Sequence, residues 1–195
     1  MSFDQRIFRD PETGFVLDLS RSPVHKPECW DEPIKQMCAL EAGGIANQDE
    51  DRMVGHYWLR APERAPSSKL QSLIETSWTA LNQLDLGEHT DVVLIGIGGS
   101  ALGPQFLRDA LHSPQDSAQL HFIDNTDPEG FHRTLQDLDP HRTLSVVVSK
   151  SGGTVETRNA MLAATQWYRA AGTSIGEHAV AITGPSSLLA DHASG

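Results

Sequence analysis

The sequence predicts an α/β fold: a parallel β-sheet with helices on both faces, preceded by a mainly helical or irregular N-terminal segment. Three observations carry this. From residue 67 onward, short apolar runs rich in valine and isoleucine alternate with segments of helical period, the rhythm of βαβ units. The runs are nearly continuous rather than alternating, which suits strands covered on both faces. Two of them run straight into glycine- and hydroxyl-rich loops that open helices, and parallel sheets bind ligands at the carboxyl ends of their strands.

Residues 1–66 read as an N-terminal extension of mixed character. Pro11, Thr13 and Gly14 signal a turn between short apolar stretches, and Pro23, Pro27 and Pro33 punctuate the next stretch. Residues 34–42 suit a short helix stopped by Gly43-Gly44, and the acidic residues 48–51 suit a solvated helix start or loop. No period repeats and no segment is of low complexity.

Residues 67–195 form the regular domain. Ser67 or Ser68 caps a helix whose apolar positions are Leu70, Leu73, Ile74, Trp78 and Leu81. A strand over 91–97 is followed by a helix over 101–111, a strand over 120–123 and a helix over 128–138. The run Leu144-Ser145-Val146-Val147-Val148 is a third strand. The helix over 155–171 sets Met161, Ala164, Tyr168 and Ala171 on one side. A fourth strand over 178–183 ends at Gly184-Pro185, and residues 186–192 open another helix. The loops after Ile97, Ile123, Val148 and Thr183 are therefore where function is expected. The last helix opens about ten residues before the sequence stops, with no capping signal beyond it, so the chain is expected to be the front part of a longer protein.

Composition narrows the function classes. The 195 residues carry a formal charge of −11, which argues against a basic nucleic-acid footprint. No apolar run approaches the ~18 residues of a membrane span, and the first residues hold no apolar signal core. Cys29 and Cys38 make neither a zinc pattern nor a disulfide framework and read as reduced thiols of a cytoplasmic protein. No metal ligand set stands out.

Two loops carry chemistry. The first is Gly96-Ile97-Gly98-Gly99-Ser100-Ala101-Leu102-Gly103-Pro104. Glycines let a ligand approach the backbone, and exposed amides at a helix start favour an anion. Alone, Gly96-x-Gly98-x-x-Ala101 also fits a dinucleotide fingerprint, with Asp124 as its ribose acid. The second is Ser149-Lys150-Ser151-Gly152-Gly153-Thr154-Val155-Glu156-Thr157, which is not a Walker A loop. Three hydroxyls around two glycines at a helix start make a cradle for a phosphate monoester, although Thr154 also fits a plain helix N-cap. A nicotinamide enzyme has no use for this second loop; a sugar phosphate does. Nine histidines, His112, His178 and His192 among them, read mainly as solvated or capping residues, and His141-Arg142 as a solvated turn.

Together, the two loops resemble the glucose-6-phosphate isomerase family, in the first sugar-isomerase (SIS) domain of its bacterial type, and the segment Gly55-His56-Tyr57-Trp58-Leu59-Arg60-Ala61-Pro62 resembles the stretch that leads into that domain. The resemblance runs from about residue 50 to the end. It implies a flavodoxin-like domain and the interconversion of glucose 6-phosphate and fructose 6-phosphate through a cis-enediol, with no metal and no cofactor. By motif position it implies that Ser149, Lys150 (through its amide), Ser151 and Thr154 hold the phosphate. It likewise implies that Gly99 and Ser100 meet the sugar and that Glu156 orients an active-site histidine. Ala101 stands where many members have Asp, and Ser-Gly-Gly-Thr stands where animal members have Thr-Phe-Thr-Thr. The family's catalytic glutamate base, ring-opening histidine, arginine and C-terminal lysine belong to later segments, so this chain supplies phosphate binding and not the base. Full-length members are implied to be homodimers acting on a small-molecule sugar phosphate. The alternative is a stand-alone SIS module that binds a phosphosugar without turning it over.

Overall fold

The computed structural model describes residues 7–21, 31–49 and 51–194; Pro23, Pro27 and Cys29 lie outside them. The described residues divide into two compact units, one up to Leu84 and one from Asp85. The rhythm of the sequence changes at Ser67, one helix earlier than this division.

In the first unit, β1 (Ile7–Arg9) and β2 (Val16–Asp18) pair antiparallel across the turn signalled by Pro11, Thr13 and Gly14. Helix α1 (Asp31–Glu41) comes next, stopped by Gly43 at φ +96°. Strands β3 (Ile45–Asn47) and β4 (Arg52–Met53) form a second hairpin, so Gln48, Asp49 and Asp51, expected in a helix start or loop, lie in its connection. Trp58 lies in a single 3-10 turn, 3% exposed, and its indole N–H donates to the Glu41 carbonyl at 2.9 Å. That bond satisfies the one polar atom of a large buried ring. Helix α2 (Ser68–Asn82) begins as expected: the Ser67 hydroxyl oxygen accepts from the Leu70 amide.

The second unit is the predicted sheet. Strands β5 (Asp91–Ile95), β6 (Gln119–Ile123), β7 (Thr143–Ser149) and β8 (Ala179–Thr183) are all parallel, in the order β6-β5-β7-β8. Helices α3 (Gly99–Leu111), α4 (Pro128–Leu135), α5 (Val155–Ala170) and α6 (Leu188–Ser194) complete it. Period-two alternation divides the strands between the faces. Val93, Ile95, Ile123 and Val147 pack against Leu135 of α4, Ala160, Met161 and Ala164 of α5, and Leu189 of α6. Leu94 and its register partner Phe122 share the opposite face, where the Arg108 guanidinium of α3 lies over the Phe122 ring at 5.3 Å. Helices thus cover both faces.

Element ends differ slightly from the expectations. Strand β5 stops at Ile95, releasing Gly96 and Ile97 into the first loop, and α3 starts at Gly99. Helix α4 ends at Leu135, and Ala171 is exposed beyond the end of α5. Met161, Ala164 and Tyr168 form the buried stripe without it. Pro185, Ser186 and Ser187 form a turn before α6.

At the amino ends of the strands, Tyr168 is fully buried. Its hydroxyl donates to the Thr143 carbonyl at 2.9 Å and pairs with the Ser145 hydroxyl at 3.0 Å, which explains a serine inside an otherwise apolar strand. Its ring stacks on His178 with centroids 5.5 Å apart. Burial pushes the phenol pKa above its ordinary value of 10.0, against a smaller lowering by the Ser145 bond. Tyr168→Phe should lower the unfolding free energy by about 1–2 kcal/mol in urea titrations, since it strips a partner from buried polar groups. The raised pKa means that only the unfolded chain ionises readily. The stabilisation is complete below pH ~10 and declines as pH climbs through the folded pKa. Wild-type stability should therefore fall faster than that of the variant above pH ~10; parallel alkaline profiles would refute the assignment.

Candidate functional site

The chain leaves β5 for β6 on one side, then crosses to β7 on the other. Adjacent loops that depart in opposite directions open a crevice at the carboxyl ends of their strands. Here those strands are β5 and β7, paired in register from Asp91↔Thr143 to Ile95↔Val147. The crevice therefore falls between the two loops that the sequence singled out.

The first loop turns on Gly98, at φ +56° and ψ −122°, a region that side chains with a Cβ avoid. The Gly98 carbonyl then accepts from the Ala101 and Leu102 amides at 3.0 and 2.9 Å, which starts α3. A Cβ placed on Gly98 or Gly99 would meet nothing within 4 Å, so the loop faces open space. Ser100 is half-buried in the first turn of α3, and Ala101 is buried beneath it at 1% exposure.

The second loop leaves β7 at Ser149, which is 4% exposed. The Ser149 hydroxyl oxygen accepts from the Gly152 amide and that of Ser151 from the Gly153 amide, both at 3.1 Å. These bonds curl the loop, and each hydroxyl that accepts an amide still has a proton to donate. Thr154 occupies the N-cap of α5, but its side chain makes no capping bond. Lys150 and Ser151 are exposed, as is Glu156 on the first turn of α5. The arrangement presents short hydroxyl and amide donors at a helix N-terminus, groups that favour a nearby anion.

Gly99, Ser100, Ser149, Lys150, Ser151 and Thr154 thus follow two neighbouring strand ends. Asp124, weighed as a ribose acid, accepts from the Gln105 amide group of α3 at 2.8 Å and from Asn125 at 3.1 Å, a structural use for that carboxylate. His112 pairs with Asp116, and His178 and His141 neighbour each other near the amino ends of the strands, away from the loops. A cleft of about 580 Å³ between α4 and α5 has mainly apolar walls, Phe131, Leu135 and Trp167 among them, and includes no residue of either loop. No group of three or more His, Cys, Asp or Glu among the described residues could hold a metal ion, and no described helix is long and apolar enough to cross a membrane. Thr183, which sequence reasoning did not single out, touches the second loop directly, and Ser187 in turn holds Thr183. Thr183 donates to the Ser149 carbonyl at 2.6 Å and pairs with the Ser187 hydroxyl at 2.5 Å. The available signal was a threonine ending a strand before a Gly-Pro-Ser-Ser turn, at the fourth of the loops expected to matter.

Comparisons with known proteins identify the family. The profile of the phosphoglucose isomerase family matches residues 34–190. A glucose-6-phosphate isomerase of Thermosynechococcus vestitus is 45% identical over 94% of this chain, which spans 39% of that protein. One of Citrifermentans bemidjiense is 44% identical over 94% of this chain, spanning 38% of that protein. Among solved structures, a glucose-6-phosphate isomerase from Chlamydia trachomatis superposes with a TM-score of 0.71 at 34% identity, covering 81% of this chain and 33% of that one. The chain therefore spans about two fifths of the length of the curated relatives it matches.

The backbone at the first loop makes a contrast between two adjacent glycines. Gly98→Ala should cost about 1–3 kcal/mol, because its φ is wrong for a Cβ even though space exists. Gly99→Ala, in open space inside α3, should be neutral or slightly stabilising. Thermal melts of the two variants check this; equal effects would remove the conformational argument.

Proposed function

This chain belongs to the phosphoglucose isomerase family, and we propose that it is the phosphate-binding part of an enzyme that interconverts glucose 6-phosphate and fructose 6-phosphate. The observation that carries the reading is the pair of loops at the β5/β7 crevice, one open and glycine-lined, the other rich in hydroxyls at the start of a 16-residue helix.

In this reading the substrate phosphate sits on residues 149–154. The Ser149, Ser151 and Thr154 hydroxyls and the Lys150 amide donate to its oxygens, and the positive end of α5 faces its charge. Fixing the dianion anchors the sugar, whose reacting carbons then lie toward Gly99 and Ser100. Binding energy from a non-reacting group is thereby spent on orientation. Glu156 serves as an orienting residue for an imidazole. No residue of this chain is assigned the proton transfer between the two sugar carbons, which the family resemblance gives to segments outside it. The working protein is read as a cytoplasmic homodimer that uses neither metal nor cofactor.

Glucose 6-phosphate should raise the melting temperature of the chain, whereas glucose and NAD should not. Ser151→Ala and Thr154→Ala should each weaken glucose 6-phosphate binding by about 1.5–3 kcal/mol, the range for a hydrogen bond to a charged group, read by calorimetry. Protection by glucose as strong as that by its 6-phosphate would sink the cradle, and equal protection by NAD would favour the dinucleotide reading. If the wild-type chain binds glucose 6-phosphate but its native source holds no longer, active form, a binding module without turnover becomes the better account.

A further inference from the structure

The turn between β8 and α6 grips the second loop along its backbone. Three consecutive loop carbonyls are held by residues 183–188. Ser149 O accepts from the Thr183 hydroxyl at 2.6 Å, Lys150 O from the Gly184 amide at 3.1 Å, and Ser151 O from the Leu188 amide at 3.3 Å. The grip arises from a change of step in the ladder that leads to it. Ser145 pairs with Ala179, and its amide donates to the His178 carbonyl at 2.8 Å. Continued regularly to Ser149↔Thr183, that pattern would send the Gly184 amide to Ser149 O. It reaches one residue further, to Lys150 O, and a side-chain hydroxyl takes its place.

The protons of this grip run in one direction. The Thr183 hydroxyl has one proton, and at 2.6 Å it goes to the Ser149 carbonyl. In the 2.5 Å contact between the two hydroxyls Ser187 must then be the donor. Ser187 accepts in turn from the Ala190 amide at 3.0 Å and is 6% exposed. The chain of bonds runs from the Ala190 amide through Ser187 and Thr183 to Ser149 O, and bonds in such a chain strengthen one another. Gly152, at φ +69°, completes the fit: a Cβ there would collide with the Leu189 amide nitrogen.

A trans peptide is planar, with its C=O and N–H pointing opposite ways. Turning the carbonyls of residues 149 and 150 toward the β8–α6 turn therefore turns the amides of Lys150 and Ser151 the other way, across the loop. We propose that Thr183 and Ser187 are positioning residues: they aim the Lys150 and Ser151 amides at the bound anion without touching it. This rests on the reading of residues 149–154 as a phosphate cradle.

The test titrates glucose 6-phosphate into the 195-residue chain, with Kd read by calorimetry and the Lys150 and Ser151 amide signals by 15N NMR. Thr183→Val, which keeps shape and loses the hydroxyl, should weaken binding about three- to tenfold, the scale of one neutral hydrogen bond, and shrink the ligand-induced shifts of both amides. Thr183→Ser should restore both, which a role confined to packing would not predict. Ser187→Ala should act in the same direction, and it serves as the second probe if the valine variant fails to fold. Ser151→Ala separates the two levels. If wild type binds and Ser151→Ala does not, while folded Thr183→Val and Ser187→Ala bind within about twofold of wild type, the positioning role is overturned and the cradle survives. If wild type binds no glucose 6-phosphate, the cradle falls and the positioning role falls with it.

Discussion

The parallel pairing of Asp91–Ile95 with Thr143–Val147 is the constraint on which the site depends. The two strands are about fifty residues apart in sequence, and a helix, a strand and a second helix lie between them. Only when they lie side by side do their loops share a crevice. The burial of Val93, Ile95 and Val147 beneath α5 sets that pairing, since a slip of one residue would turn those side chains to the opposite face. The same hydrophobic contacts that stabilise the unit thereby determine which loops become neighbours.

Around this apolar centre, hydroxyl groups do much of the joining. Thr143, Ser145, Ser149, Thr157 and Ser187 are all buried, and among the described residues no buried side-chain nitrogen or oxygen lacks a partner. A buried hydroxyl costs little in volume and can both give and take a proton, so it can close a gap where the backbone ladder changes step. That is what Thr183 does at the end of β8. A loop assembled from satisfied groups is held in shape by its own bonds, and pre-organisation of this kind would reduce the ordering cost of the binding proposed for it.

Most of the second unit was legible because its signals are local. The strand run, the glycines and the helical period sit within about twenty residues of one another, and each element formed within a few residues of its expected place. The hydroxyls of the second loop stood out for the same reason. What stayed hidden depends on distant partners. Ser145 looked like an interruption of a valine run until Tyr168 supplied its partner across 23 positions. Thr183 looked like the end of a strand, and only the register Ser149↔Thr183, 34 positions apart, gives its hydroxyl a target. The β3–β4 hairpin is three residues paired with two, too short for alternation to be visible.

Strand β7 runs seven residues from Tyr168's partners Thr143 and Ser145 to the loop at Ser149, so its two ends are roughly 20 Å apart at ~3.3 Å per residue. His89 and His178, whose ring nitrogens lie 3.2 Å from one another, and the nearby His141 occupy the far end. At that separation one unit charge acts on another with only ~0.8 kcal/mol at the effective dielectric of about 20 that suits partly buried sites. A change of charge at the amino ends of the strands therefore alters the field at the loop only modestly. The length of one strand thus works as electrostatic spacing between the end that secures the fold and the loop end for which anion binding is proposed.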